Sequence, residues 1–115
     1  MSCRLLTPAH YRAVFDATAV RVGTKNALML GRLNGQQPAR LGLIAARRQL
    51  PRAVDRNRFK RMVRETFRVH RGELHGLDIV VLARSGFRST TKPEQHPRLE
   101  HQWQRLIAEH RSLSD

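Results

Sequence analysis

Residues Ala53 to His70 can bury only one side of the helix they encode. At roughly 100° per residue, Phe59, Met62, Val63, Thr66 and Phe67 fall on one arc of about 140°. Arg56, Lys60, Arg64, Asn57, Arg68 and Arg61 fall, in that angular order, on another arc of about 140°. One face must pack on a partner layer while the other presents five cations and an amide. The flanking segments supply that layer. Arg40 to Arg47 reads as a strand with Leu-Gly-Leu-Ile-Ala-Ala at its centre, the continuous apolar run of a strand covered on both faces. Leu77 to Arg84 is the clearest strand in the chain, rich in β-branched residues. A strand, a helix and a strand in succession suggest a crossover unit within a mixed sheet.

The rest of the chain is read around that unit. Thr7-Pro8 reads as an N-cap with proline at the first helical position, opening a short helix from Pro8 to Asp16. Val20 to Leu33 reads as strand, with a candidate turn at Gly23-Thr24, and Asn34-Gly35 is a strong turn signal. Gly86 to Pro97 reads as loop. A last helix from Arg98 to Leu113 carries Leu99, Trp103, Leu106, Ile107 and His110 at helical spacing. The expected order is α-β-β-β-α-β-α, an α+β fold of one domain over residues 1–115. There is no internal repeat.

Charge narrows the class of partner. Twenty-two Lys and Arg against nine Asp and Glu give +13. Residues 40–71 hold eleven basic and two acidic residues, a net +9 of that total. Concentrated positive charge points to a polyanion, which releases counterions when bound. Only Lys25, Lys60 and Lys92 are lysines, and guanidinium suits bidentate phosphate contacts and stacking on bases. A helix selected for solubility mixes signs at i,i+4, whereas this one stacks Arg56, Lys60 and Arg64, a repulsion that an anionic partner offsets.

Other chemistries find little footing. Cys3 is the only cysteine, so neither an internal disulfide nor a cysteine zinc site is expected, and a reduced, cytoplasmic setting fits. Met1 to Leu6 has no run resembling a signal peptide, and no membrane association is expected. His10, His70, His75, His96, His101 and His110 give no i,i+4 pair and no His-Glu-x-x-His run, so no metal site in the protein is expected. Asp55 either begins the basic helix, where a carboxylate suits the dipole, or touches a metal ion at second shell. Asp78 is expected to fix a strand edge or pair with a basic neighbour. Trp103 is expected in the core.

The run Ala53-Val54-Asp55-Arg56-Asn57-Arg58-Phe59-Lys60-Arg61-Met62-Val63-Arg64-Glu65 resembles the RNR signature of the bacterial ribonuclease P protein family. Arg40-Leu-Gly-Leu-Ile-Ala-Ala-Arg-Arg before it is also similar, as are Thr7-Pro8 with Tyr11 and Phe15, Gly31-Arg32-Leu33-Asn34, and Leu77 to Arg84. The resemblance covers residues 4 to 110. It implies a two-layer α/β sandwich on a mixed four-stranded sheet, with a left-handed crossover at the basic helix. It implies a role in which an RNA subunit, using Mg²⁺ held mainly by RNA, cuts the 5′ leader from precursor tRNA. The protein would carry no catalytic residue of its own and need no obligate protein partner. Arg52, Arg56, Asn57, Arg58, Lys60, Arg61, Arg64 and Arg68 match the RNA-subunit surface. Tyr11, Phe15, Arg47 and Arg48 match the leader surface. Arg47 and Arg48 stand where the family usually has lysines, and Tyr11 where Phe is common. From spacing alone, Tyr11 and Phe15 are either cleft or core.

Three other classes fit the sequence less well. An autonomous nuclease needs clustered carboxylates or a histidine pair, and neither is visible. A structural or chaperone-type basic RNA-binding protein fits the charge but gives no reason for these motifs in this order. A helix-turn-helix reader is disfavoured because strands flank the basic helix.

Overall fold

The computed structural model describes residues 4–113, so Cys3 lies outside them. The elements are β1 (Arg4–Leu5), α1 (Pro8–Asp16), β2 (Val20–Gly23), β3 (Ala27–Leu33), β4 (Arg40–Ile44), α2 (Ala53–His70), β5 (Leu77–Ala83), α3 (Gly86–Ser89) and α4 (Lys92–Leu113). The most apolar strand takes the centre. β5 pairs antiparallel with β3 on one side and parallel with β4 on the other. β2 extends the sheet antiparallel to β3, giving the order β1-β4-β5-β3-β2.

Period-two alternation sorts the side chains onto two faces. Leu41, Leu77, Ile79, Val81, Met29 and Val22 face the larger core, which Phe59, Val63 and Phe67 of α2 and Leu99, Trp103, Leu106 and Ile107 of α4 complete. These helices and the sheet are the two expected layers. The crossover from β4 through α2 to β5 places the apolar arc of α2 on the sheet and leaves its cationic arc outside. Trp103 is fully buried, and its Nε1 donates to the Thr66 hydroxyl at 2.7 Å. On the other face, Leu30 and Val80 meet Val14 of α1, so one short helix covers part of that side.

The four long strands form the expected mixed sheet, and a two-residue β1 adds a fifth at its edge. β1 runs parallel to β4, pairing Arg4 with Arg40 and Leu5 with Leu41. The stretch Gly86 to Pro97, expected as loop, is largely helical. Phe87 on α3 packs edge-on against Phe59, ring centroids 5.1 Å apart. α4 starts six residues before Arg98 and runs through Pro97. The Thr91 carbonyl accepts from the Glu94 and Gln95 amides, and buried Gln95 donates through Nε2 to the Phe87 and Thr90 carbonyls. Pro97 forgoes only one hydrogen bond so close to the helix start. β4 ends at Ile44, three residues before Arg47, where the chain turns.

Candidate nucleic-acid interface

α2 supplies the densest charge. Asn57, Arg61, Arg64 and Arg68 are exposed, while Arg56, Arg58 and Lys60 are half-buried. Asn57, Lys60, Arg61, Arg64, Glu65 and Arg68 line one shallow groove along the helix. A second groove runs past Val54, Asn57, Arg58 and Arg61. Among the described residues, no ion pair joins an arginine or the lysine of α2 to a carboxylate. Arg56 is partly committed elsewhere: its Nη1 donates to the Leu50 and Pro51 carbonyls at 3.0 and 2.8 Å. It therefore ties the start of α2 to the preceding turn, a role the helical wheel does not reveal. Arg52 is exposed at the N-cap position without a capping side-chain bond, and half-buried Asp55 sits in the first turn, favourably placed for the dipole.

The second surface lies where α1 crosses the sheet. Thr7 caps α1 as its sequence predicts, and His10 completes a reciprocal capping box through Nδ1. Tyr11 is half-buried, and its hydroxyl accepts from the Leu43 amide at 2.8 Å. That amide lies on the β4 edge beyond the end of β1, so the phenol completes the sheet edge. Gly42 makes room for the ring. Phe15, one turn on, is 45% exposed. Beside α1, Leu28, Ile44 and Leu82 form a half-buried apolar floor. Arg47 and Arg48 are exposed in the turn after β4, where the Gln49 side chain accepts from the Ser85 amide.

Register creates a further grouping that no linear motif announces. Asp78 on β5 lies opposite both Arg32 on β3 and Arg40 on β4. Its carboxylate is completely buried and receives Arg40 Nε at 2.7 Å and Nη2 at 2.6 Å. The pairing expected of Asp78 with a basic neighbour is thus present. Three histidines serve the structure: His10 caps α1, His70 bridges two glutamates and His110 contacts the His75 carbonyl. Among the described residues, no three His, Cys, Asp or Glu side chains gather as metal ligands, and no helix is long and apolar enough to cross a membrane.

A mixed sheet whose crossover helix carries a row of cations with no ion-pair partner among the described residues defines a class of small proteins built to meet a polyanion. The comparisons with known proteins sharpen that class. The Ribonuclease P family model matches residues 1–107. The ribonuclease P protein component of Pseudomonas entomophila is 45% identical over 104 residues, covering 90% of this chain and 78% of the relative. That of Stutzerimonas stutzeri is 45% identical over 103 residues, covering 90% and 79%. Among solved structures, the RNase P protein of Staphylococcus aureus superposes with a TM-score of 0.78 at 27% identity, covering 90% of this chain and 94% of that one. The Thermotoga maritima protein gives 0.72 at 28%, with the same coverage. The chain belongs to the ribonuclease P protein family, whose members are protein subunits of an endoribonuclease in tRNA processing. The generic RNA-binding alternative is left without support.

Proposed function

We propose that the chain binds the catalytic RNA subunit of ribonuclease P through the outer face of α2, and the 5′ leader of precursor tRNA across the groove between α1 and the sheet. The observation that carries this reading is the α2 face, whose cations lack carboxylate partners among the described residues. RNA phosphates supply the missing counter-charge, and counterion release makes the exchange favourable. Arg52, Asn57, Arg58, Lys60, Arg61, Arg64 and Arg68 serve that contact, with Arg56 divided between it and the helix start. On the leader side, Phe15 offers an exposed ring for stacking unpaired bases, Tyr11 a fixed ring edge, and Arg47 and Arg48 offer phosphate contacts.

Catalysis belongs to the RNA in this reading. The protein's carboxylates do not fit a metal cage: Asp55 stands alone in its helical turn and Asp78 is committed to arginine. Any Mg²⁺ would be held by RNA phosphates and not by side chains of this chain. The protein's part is to hold both RNAs in register. The setting is cytoplasmic, in keeping with a lone thiol. The test is reconstitution at low Mg²⁺. Rigorously RNA-free protein should leave precursor tRNA intact, and adding it to ribonuclease P RNA should stimulate cleavage at the mature 5′ end. Cleavage by the protein alone, or no stimulation of the RNA, would refute the reading.

A further inference from the structure

Between the cationic arc of α2 and the arc that packs on the sheet lies a strip of different chemistry. At roughly 100° per residue it spans about 80° and holds Val54, Glu65, Arg58, Val69 and Met62, in that angular order. Val54 is 49% exposed and Val69 76%, the latter more than any other large apolar side chain among the described residues. Met62 is half-buried at the edge of the core. Glu65 is exposed, whereas Asp55, the other carboxylate of α2, is half-buried in the first turn. Arg61 lies four residues before Glu65 and Arg68 three after, both within reach on a helix. Among the described residues Glu65 nevertheless forms no ion pair. It neither neutralises a neighbour nor supports the core. On a face that meets phosphates, a free carboxylate opposes binding by Coulomb repulsion, and exposed valines add nothing to a phosphate contact.

Both residue types suit the other part of an RNA, its bases. An unpaired base offers an apolar face and a Watson–Crick edge. A carboxylate is an acceptor with two oxygens. Guanine is the base whose edge presents two adjacent donors, N1–H and the N2 amine. Glu65 lines one groove with Met62, Arg58 and Arg61. Met62 stands one turn before the carboxylate and Val69 one turn after, so apolar surface lies on both sides of it. Arg58 and Arg61 are at hand for the phosphate of the same nucleotide. We propose that this strip reads an unpaired guanosine of the RNA subunit, Glu65 accepting from N1–H and the N2 amine while Met62 and Val69 flank the base. This rests on the RNA-subunit reading above and adds sequence recognition to a contact otherwise made through phosphates.

The experiment measures binding of the full chain to ribonuclease P RNA, alongside thermal melts. Glu65→Gln removes a negative charge from a cationic face. If the carboxylate only repels RNA, the variant binds more tightly than wild type. If Glu65 reads guanine, the variant binds roughly tenfold more weakly, the scale of one bidentate base contact, and melts like wild type. Val69→Ser should also weaken binding, with an unchanged salt slope because no charge is lost. RNA subunits carrying inosine, which lacks the N2 amine, in place of one guanosine at a time locate the partner. At one unpaired position inosine should weaken binding of wild type and leave that of Glu65→Gln unchanged. Wild-type or tighter affinity in Glu65→Gln, full affinity in Val69→Ser, or no inosine position whose effect depends on Glu65 overturns this assignment while the phosphate contact stands. A wild-type chain that does not bind ribonuclease P RNA overturns the RNA-subunit reading and the assignment together.

Discussion

A methyl group added to Gly42 would sit 2.6 Å from Cε1 and Cζ of the Tyr11 ring. The phenol is held there by the Leu43 amide, so the ring cannot swing away without breaking a hydrogen bond. Gly42→Ala should therefore destabilise the protein by about 1–3 kcal/mol, the usual cost of overpacking, as read by urea denaturation. The same change in a Tyr11→Ala background should cost much less. Equal costs in both backgrounds would show that ring and glycine are independent. Thr7 and Trp103 were legible in the sequence because capping and helical spacing are local. Tyr11 was not, because its partner lies 32 residues away and nothing in the spacing of α1 encodes it. The bonds of Arg56 to the preceding turn were not legible for a related reason: a wheel gives the direction of a side chain, not whether it folds back. Asp78 could be read as paired, but its partners needed the strand register.

At the level of elements, α2 is fastened to α4 through His70. The imidazole is buried, with Nδ1 3.0 Å from Glu73 and Nε2 2.5 Å from Glu100. Burial alone would push its pKa down, but the hydrogen bonds and charges of the two glutamates outweigh this and raise it above the ordinary value. Burial likewise opposes ionisation of Glu100, yet its bonds from Gln104 and His70 and the nearby His96 leave its pKa lowered. A raised histidine pKa adds stability that is complete below the unfolded value of about 6.5 and is lost as pH rises through the folded value. A lowered glutamate pKa adds stability that is lost as pH falls through its folded value. The melting-temperature gap between wild type and His70→Gln should thus be widest in mildly acidic solution and shrink toward alkaline pH. A gap that is flat, or grows with pH, would contradict this ion pairing. The bounds of α1 and α2 were legible to the residue, since caps and periodicity mark them. β1, α3 and the start of α4 were not. A two-residue strand has no periodicity, and Pro97 reads as a break unless the buried Gln95 that holds its turn is known.

The whole molecule joins a mildly basic scaffold, net +4, to a strongly charged segment. Residues 40–71 hold +9 of the +13, and α2, which carries six of their eleven cations, turns Arg61, Arg64 and Arg68 outward because its apolar arc is claimed by the sheet. A crossover unit in a mixed sheet and a polyanion partner were legible from that one segment and its flanking strands, whereas the two-layer sandwich was implied by the resemblance along the whole chain. The arrangement of the second surface was not, since it depends on how β3, β4 and β5 align. The central claim is that the outward α2 face meets the RNA subunit through phosphates. Its most direct test is the salt dependence of binding to ribonuclease P RNA, for wild type and for the combined Arg61→Ala, Arg64→Ala and Arg68→Ala variant. These three side chains are exposed and lie off the apolar arc, so the variant should melt like wild type. Each lost phosphate contact should flatten the log–log slope by up to about 0.9, or up to about 2.7 for three. A variant that melts like wild type and binds with a flatter slope is the predicted result; one that melts like wild type and keeps the wild-type slope would contradict the account.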